Sequence, residues 1–306
     1  MAGFPTAAGV PNMSGTYIPR LYASQLLVAF YAASVFGAIA TTEHEAQLQK
    51  FGDTLRIRTL PDIAVRTYTK GQNLQYEAPD PSYVDLVIDK GKYWAISVNA
   101  LDKKQVDLAY VSKWAEHAAA TMKVAIDTDV LANTYANAHA SNVGLTAGAI
   151  SGAISLGVTG TPFELTSANI LGKIVDCGQV LDEQNIPDEG RWLVLPAWAC
   201  AMLKKSDLKD ASLTGDGTSV LRNGRIGMID RFDIYRSNNL TITFDTPEYV
   251  ANAMFGWKGA IAFASQMTDK EEIPNPNDFG TLVRALQAYG YKVVKSEGLG
   301  HLYIYA

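Results

Sequence analysis

Apolar positions between residues 104 and 137 recur at helical spacing. Leu108, Val111, Ala115, Ala118, Met122, Ile126 and Val130 form one stripe, opposed by Lys113, Glu116, Lys123 and Asp127. The pattern predicts one helix about 50 Å long at 1.5 Å per residue. A Lys123–Asp127 pair on its solvent face would add only a few tenths of a kcal/mol, so the apolar stripe must hold the helix. On either side the period changes to two. Leu55, Ile57 and Thr59 alternate with Thr54, Arg56 and Arg58, and Trp94, Ile96 and Val98 share one face. These runs predict strands over 83–89 and 92–98 with Lys90–Gly91 as their turn, making residues 52–99 a long two-stranded projection. Between Pro61 and Pro81 lies a polar stretch with Gly71, about twenty residues long and longer than ordinary connections. A lone hairpin of this kind is marginal in water, so it needs another surface to lie on.

Past the long helix, residues 139–161 are rich in Gly, Ala and Ser, which places a domain boundary there and the start of a second domain near Pro162. Thr166 or Ser167 is positioned to cap a helix ending near Asn185. The run Arg191–Leu195 reads as a buried strand stopped by Pro196, and a helix follows over Ala197–Lys205. Residues 224–240 read as a strand pair with a Ser-Asn-Asn turn, and further strands are expected at Thr241–Phe244, Ala260–Ser265, Tyr289–Lys295 and His301–Tyr305. The fold class is therefore α+β, with short, mostly antiparallel strands.

The amino end reads differently. Residues 1–19 hold Pro5, Pro11 and Pro19 among Gly, Ser and Thr, the composition of an extended arm ordered by a neighbour. Residues 21–42 carry no charge and are long enough to cross a bilayer. Ser24, Gln25, Ser34, Gly37 and the heavy alanine content speak against a span, and the expectation is a helix buried at an interface, with no membrane partner.

Charge and candidate chemistry narrow the function. With 26 Lys+Arg against 31 Asp+Glu the net charge is −5, which gives no bulk attraction to nucleic acid or to an anionic membrane. The two cysteines, Cys177 and Cys200, lack metal-site or redox spacing and sit among apolar neighbours. His44, His117, His139 and His301 are scattered, and His44–Glu45 begins an HExxH pattern that Leu48 breaks. Asp127 and Asp129 begin a calcium-loop spacing but sit inside the helical period, as a solvated helix end would. Ser151 and Ser155 lack the GxSxG frame, and no phosphate-binding glycine loop is present. The expectation is no catalytic residue, no cofactor and no metal.

Several phrases, taken in order, resemble the major capsid (coat) proteins of tailed bacteriophages, the Hong Kong 97 fold. They are YIPRLYASQLLVAF at 17–30, FGDTLRIRTLPDIAVRTYTKGQ at 51–72, DLAYVSKWAEHAAATMKVAIDTDVL at 107–131, RWLVLPAWACAML at 191–203, GRIGMIDRFDIYRSNNL at 224–240 and the late AYGYKVVKSEGL. The resemblance implies an N-terminal arm and helix over 1–50 and an extended β-hairpin loop over 51–99. It implies a peripheral domain with the spine helix over 100–159, an axial domain over 160–240, and a segment over 241–306 that returns to complete both. The implied function is a virion structural protein that self-assembles into hexamers and pentamers of an icosahedral head shell around phage DNA, built in the host cytoplasm. Inter-subunit contacts would come from Leu26, Phe30 and Phe36 of the arm and from Arg56, Arg58, Arg66, Tyr68, Lys70, Glu77 and Asp80 of the loop. Implied partners are further copies of the chain, a separate scaffolding protein, a portal, a decoration protein, and packaged DNA held by weak non-specific contact. Some relatives link a loop lysine to a neighbour's asparagine; Lys70 would be the candidate, though no dedicated acid accompanies it. An encapsulin-like nanocompartment shell and an enzyme assembled from scattered residues are the alternatives.

Overall fold

Arg191–Leu195 is walled in on both faces, and the rest of the fold follows from that strand. Its residues alternate: Leu193 and Leu195 enter one core, Trp192 and Val194 another, and all five are buried. The structure is a computed structural model that describes residues 34–43, 54–58, 63–78, 83–99, 109–206, 228–267, 271–276 and 280–306, all within one unit, Tyr31–Ala306.

Four helices and thirteen strands are distinguished among the described residues: α1 (Phe36–Ile39), α2 (Ala109–Thr134), α3 (Ile170–Glu183), α4 (Ala197–Lys205), β1 (Thr54–Arg58), β2 (Tyr83–Val87), β3 (Lys90–Asn99), β4 (Phe163–Glu164), β5 (Arg191–Leu195), β6 (Met228–Ile229), β7 (Phe232–Arg236), β8 (Ile242–Asp245), β9 (Glu248–Trp257), β10 (Ile261–Met267), β11 (Glu271–Pro274), β12 (Gly280–Val293) and β13 (Leu299–Tyr305). A seven-stranded mixed sheet runs β4-β13-β9-β5-β7-β6, with β8 on β9. A second sheet centres on β12, which pairs β3, β10 and β11, and β1 pairs β2 as a separate ribbon. One core lies between the seven-stranded sheet and helices α3 and α4, through Ile174, Cys177, Leu181, Cys200, Leu203, Phe232 and Phe255. The other lies on the opposite face, where Ile126, Val130 and Leu131 of α2 meet Trp192, Met254, Phe263 and Tyr289.

The long helix, the buried strand and the helix after Pro196 stand where the pattern predicts them, and α2 is extended by a 3-10 turn, Tyr135–Asn137. Residues 100–108, where the helix was expected to begin, lie outside the described residues. Asp127 corrects the solvent-face reading. It is fully buried and takes hydrogen bonds from Val35, Phe36 and Asn239, so it forms no exposed pair with Lys123 and no solvated helix end.

Three strand readings also change. β2 and β3 are not hairpin partners: β2 pairs β1, whereas β3 runs antiparallel to β12 from Lys90↔Tyr289 to Asn99↔Gly280. The described part of the projection is therefore the ribbon β1–β2 with residues 63–78, and β3 is not part of it. The turn in the 224–240 segment falls at Asp230–Arg231, both with positive φ (47° and 65°), and not at Ser-Asn-Asn. It is held because Arg231 bonds Asp188 at 2.7 Å and Asp182 at 2.8 Å, while the buried Arg191 reaches Asp182 at 2.7 Å from the other side. β9 was not anticipated at all, although it is the strand flanked by β13 on one side and β5 and β8 on the other.

Two further local features matter. α3 starts at Ile170, after a turn in which Thr166 N–H donates to Asn169 Oδ1 at 2.7 Å and Asn169 N–H donates to Thr166 Oγ1 at 3.3 Å. The Gly-rich stretch 139–161 packs Ala147, Ile154 and Leu156 into the first core. At Gly157 (φ 78°) an added Cβ would lie 2.2 Å from Tyr303 O, so only glycine allows that approach.

Candidate assembly surface

The ribbon β1–β2 carries residues 63–78 away from the body. Arg56 and Asp85 are direct cross-strand partners, with Nε to Oδ1 at 2.9 Å and Nη2 to Oδ2 at 3.3 Å, and the guanidinium lies 3.9 Å from the Tyr83 ring centroid. The hydrogen bond and charge of Asp85 raise the Arg56 pKa above its ordinary value. Among the described residues 63–78 no backbone ladder forms, and side chains close the loop. Arg66 bonds Gln75 and Glu77, Ala64 N–H donates to Glu77 Oε2 at 3.4 Å, and Gln72 N–H donates to Thr69 O at 3.0 Å around Gly71, whose φ is 92°. Lys70 stands at the tip.

This internal pairing changes what the projection offers a neighbour. Arg56, Arg66 and Glu77 are satisfied within their own chain, which leaves the apolar side chains outward: Val65 is 98% exposed and Tyr76 89%, with Ile63, Tyr68 and Leu74 also in solvent. Arg58, at the end of β1 opposite Tyr83, is exposed. Phe36 packs inward, its ring 4.8 Å from that of Phe263, while Leu26, Phe30 and Asp80 lie outside the described residues. Of the five exposed loop residues, Tyr68 is among the contacts expected from the sequence, and Ile63, Val65, Leu74 and Tyr76 are not. Val65, Leu74 and Tyr76 were nevertheless visible as isolated large apolar residues in a polar stretch.

The root of the projection is fixed in two ways. β2 passes so close to β12 that a Cβ on Gly290 would lie 2.0 Å from Val87 O, and Leu86 is fully buried with Ala262 and Ala264. Where β3 begins, Lys90 Nζ donates to Asp129 Oδ2 at 2.9 Å and to Tyr291 OH at 2.5 Å, and Tyr289 OH donates to Asp129 Oδ2 at 3.0 Å. Burial alone would raise the Asp129 carboxyl; the hydrogen bonds from Lys90, Tyr289 and Tyr291 outweigh it and hold the group below its usual range. This cluster ties the loop to the spine helix α2.

The remaining titratable groups have structural surroundings. His301 Nε2 lies 3.0 Å from Asn252 Oδ1, and burial pushes its pKa down to about 4. Burial pushes the Cys177 and Cys200 thiols up, Cys200 to about 11. No cluster of His, Cys, Asp and Glu suited to a metal ion occurs among the described residues, and no described helix is long and apolar enough to cross a membrane.

A family model described as phage capsid protein matches residues 83–300. The fold is similar to a chain of Mycobacterium phage Che8, at 25% identity and TM-score 0.74, covering 95% of this chain and 98% of that one. It is similar also to the capsid of the cyanophage P-SCSP1u (14% identity, TM-score 0.71, 94% and 93% covered) and to the capsid of Ralstonia phage GP4 (13%, 0.64, 98% of both). No curated protein matches. Two sheets on a spine helix, a projecting loop and near end-to-end overlap with phage capsid chains agree with the family match over most of the sequence, and the chain belongs to the phage capsid protein family, with the α+β fold of Hong Kong 97-type coats.

Proposed function

We propose that copies of this capsid chain associate as hexamers and pentamers that close into the icosahedral head shell around phage DNA, each projection lying on an adjacent copy. The observation that carries this reading is the loop itself: five large apolar side chains stand in solvent on a segment stapled shut by its own ion pair. A projection this apolar is stable against aggregation only if a partner covers it. In this reading residues 1–50 are the arm, 51–99 the extended loop, 100–159 the peripheral domain, 160–240 the axial domain and 241–306 the return segment. Repetition of modest contacts supplies the stability of the shell. A net charge of −5 suits a wall that contacts packaged DNA weakly, since tight phosphate binding would hold the genome back. Assembly takes place in the host cytoplasm with a separate scaffolding protein, and a portal and decoration protein join the same shell. The coat role is structural, with no catalytic step. Deleting residues 61–81 is expected to leave a soluble chain that forms no closed shells by negative-stain microscopy and sedimentation with scaffold present. Intact shells from that deletion would overturn the role of the loop.

A further inference from the structure

A second exposed apolar patch lies at the end of the seven-stranded sheet, on the β8–β9 hairpin. Phe244 and Tyr249 are direct cross-strand partners with ring centroids 5.1 Å apart, and Ile242 stands beside them; all three are exposed, Tyr249 at 73%. From Val250 onward β9 turns inward and is buried. The patch thus stands clear of both cores, and neither packing nor the strand ladder requires aromatic residues there.

We propose that this hairpin is the seat for loop 63–78 of a second copy of the chain, which rests on the shell-forming role argued above. Charge selects the occupant. Residues 241–250 carry Asp245 and Glu248 and no base, whereas residues 63–78 carry Arg66, Lys70 and Glu77. Arg66 and Glu77 satisfy each other, and Asp245 accepts from Gly160 N–H at 2.6 Å and from Tyr303 OH at 3.3 Å. That leaves Lys70 on the loop and Glu248 on the hairpin, both exposed and without an ion pair among the described residues. Loop against loop would set Lys70 toward Lys70, and hairpin against hairpin would set Glu248 toward Glu248. Only the unlike pairing joins apolar surface to apolar surface with opposite charges at its rim. A contact between two different patches of one chain is heterologous, the kind that repeats around a ring and closes it.

The test uses the full chain assembled with its scaffold. Val65→Cys and Phe244→Cys are combined, the native Cys177 and Cys200 being buried and silent. Under oxidation the double variant is expected to give a ladder of covalently joined chains in assembled shells, and neither single variant is expected to. Shells without a ladder, or dimers from either single variant, would overturn the seat. In parallel, Lys70→Glu and Glu248→Lys are each expected to lower shell yield by about fivefold or more, and the double exchange to restore it. Failure of restoration counts against the seat even if the cysteine variants do not assemble. Deletion of residues 61–81 separates the two ideas. If it still yields shells, the loop's role falls; if it blocks shells while the exchange and the ladder fail, only the seat falls.

Discussion

Asn239 donates from Nδ2 to Asp127 Oδ2 at 2.7 Å across 112 residues of sequence, in a fully buried site on the inner face of the spine helix. The other carboxyl oxygen of Asp127 accepts the backbone N–H groups of Val35 and Phe36, both at 2.8 Å. One side chain therefore fastens three segments: the spine helix, the turn α1, and the chain leaving β7. Asp127→Ala would remove the acceptor of two backbone donors, the N–H groups of Val35 and Phe36. It is expected to cost roughly 3 kcal/mol or more, seen as a lower denaturant midpoint at unchanged slope. Asp127→Asn, which keeps one oxygen for the backbone, should lose less. Equal stability of the alanine variant would show that the clamp does not hold α1.

The ribbon is joined to the body at Gly290. An alanine there would bring its Cβ to 2.0 Å from Val87 O and 2.8 Å from Val87 C, both backbone atoms that cannot rotate away. Gly290→Ala is expected to push β2 off β12 and expose Leu86, at a cost of about 1–3 kcal/mol. Protease cleavage within residues 54–87 should accelerate before global unfolding does. A variant as resistant as the parent would mean that the ribbon is held elsewhere.

What the sequence disclosed follows the physics of burial. Arg191–Leu195 was legible because a short apolar run lies between Gly190 and Pro196, and α2 because Met122, Ile126 and Val130 keep helical spacing. β9 was hidden because both its faces are buried, which erases the alternation, and because Ala251, Asn252 and Ala253 favour strands poorly. Asn252 is tolerated there only because its amide donates to Thr241 O at 2.9 Å and Thr243 Oγ1 at 3.1 Å, partners contributed by another strand segment. Asp127 was misplaced for a similar reason: nothing local shows that a carboxyl will meet two backbone N–H groups 91 and 92 residues away. On the projecting loop, the charged residues stand out in the sequence. Their pairing with one another, which leaves Val65 and Tyr76 as the exposed material, required the folded hairpin.

The cysteines give a simple check on the first core. Cys177 and Cys200 are both buried, and burial raises both thiols, so the reactive thiolate is scarce near neutral pH. The native chain is expected to resist a water-soluble thiol reagent at pH 8 and to react at both positions once unfolded in denaturant. Rapid labelling of the native chain would mean that the face formed by α3 and α4 opens readily, contrary to its packing.

Acid should weaken the fold in two separate windows. An unfolded histidine takes up its proton near 6.5, but burial holds His301 to about 4, where its ring lies 4.9 Å from that of Tyr135 and its Nε2 lies 3.0 Å from Asn252 Oδ1. Its contribution to stability is full above pH 6.5 and falls as pH drops toward 4, with a slope of at most about 1.4 kcal/mol per pH unit. Glu183 acts lower on the scale. The backbone N–H of Ser151, the Gln179 amide and the Ile150 N–H draw its pKa from 4.5 down to about 2, so its contribution is full above 4.5 and is lost between 4.5 and 2. His301→Gln should therefore flatten the melting-temperature profile between pH 4 and 6.5 and leave the lower limb alone, whereas Glu183→Gln should do the reverse. If His301→Gln retained the parent slope in the upper window, some other buried base would have to account for it, and the neutral His301–Asn252 pair would not be the acid-sensitive joint between β9 and β13.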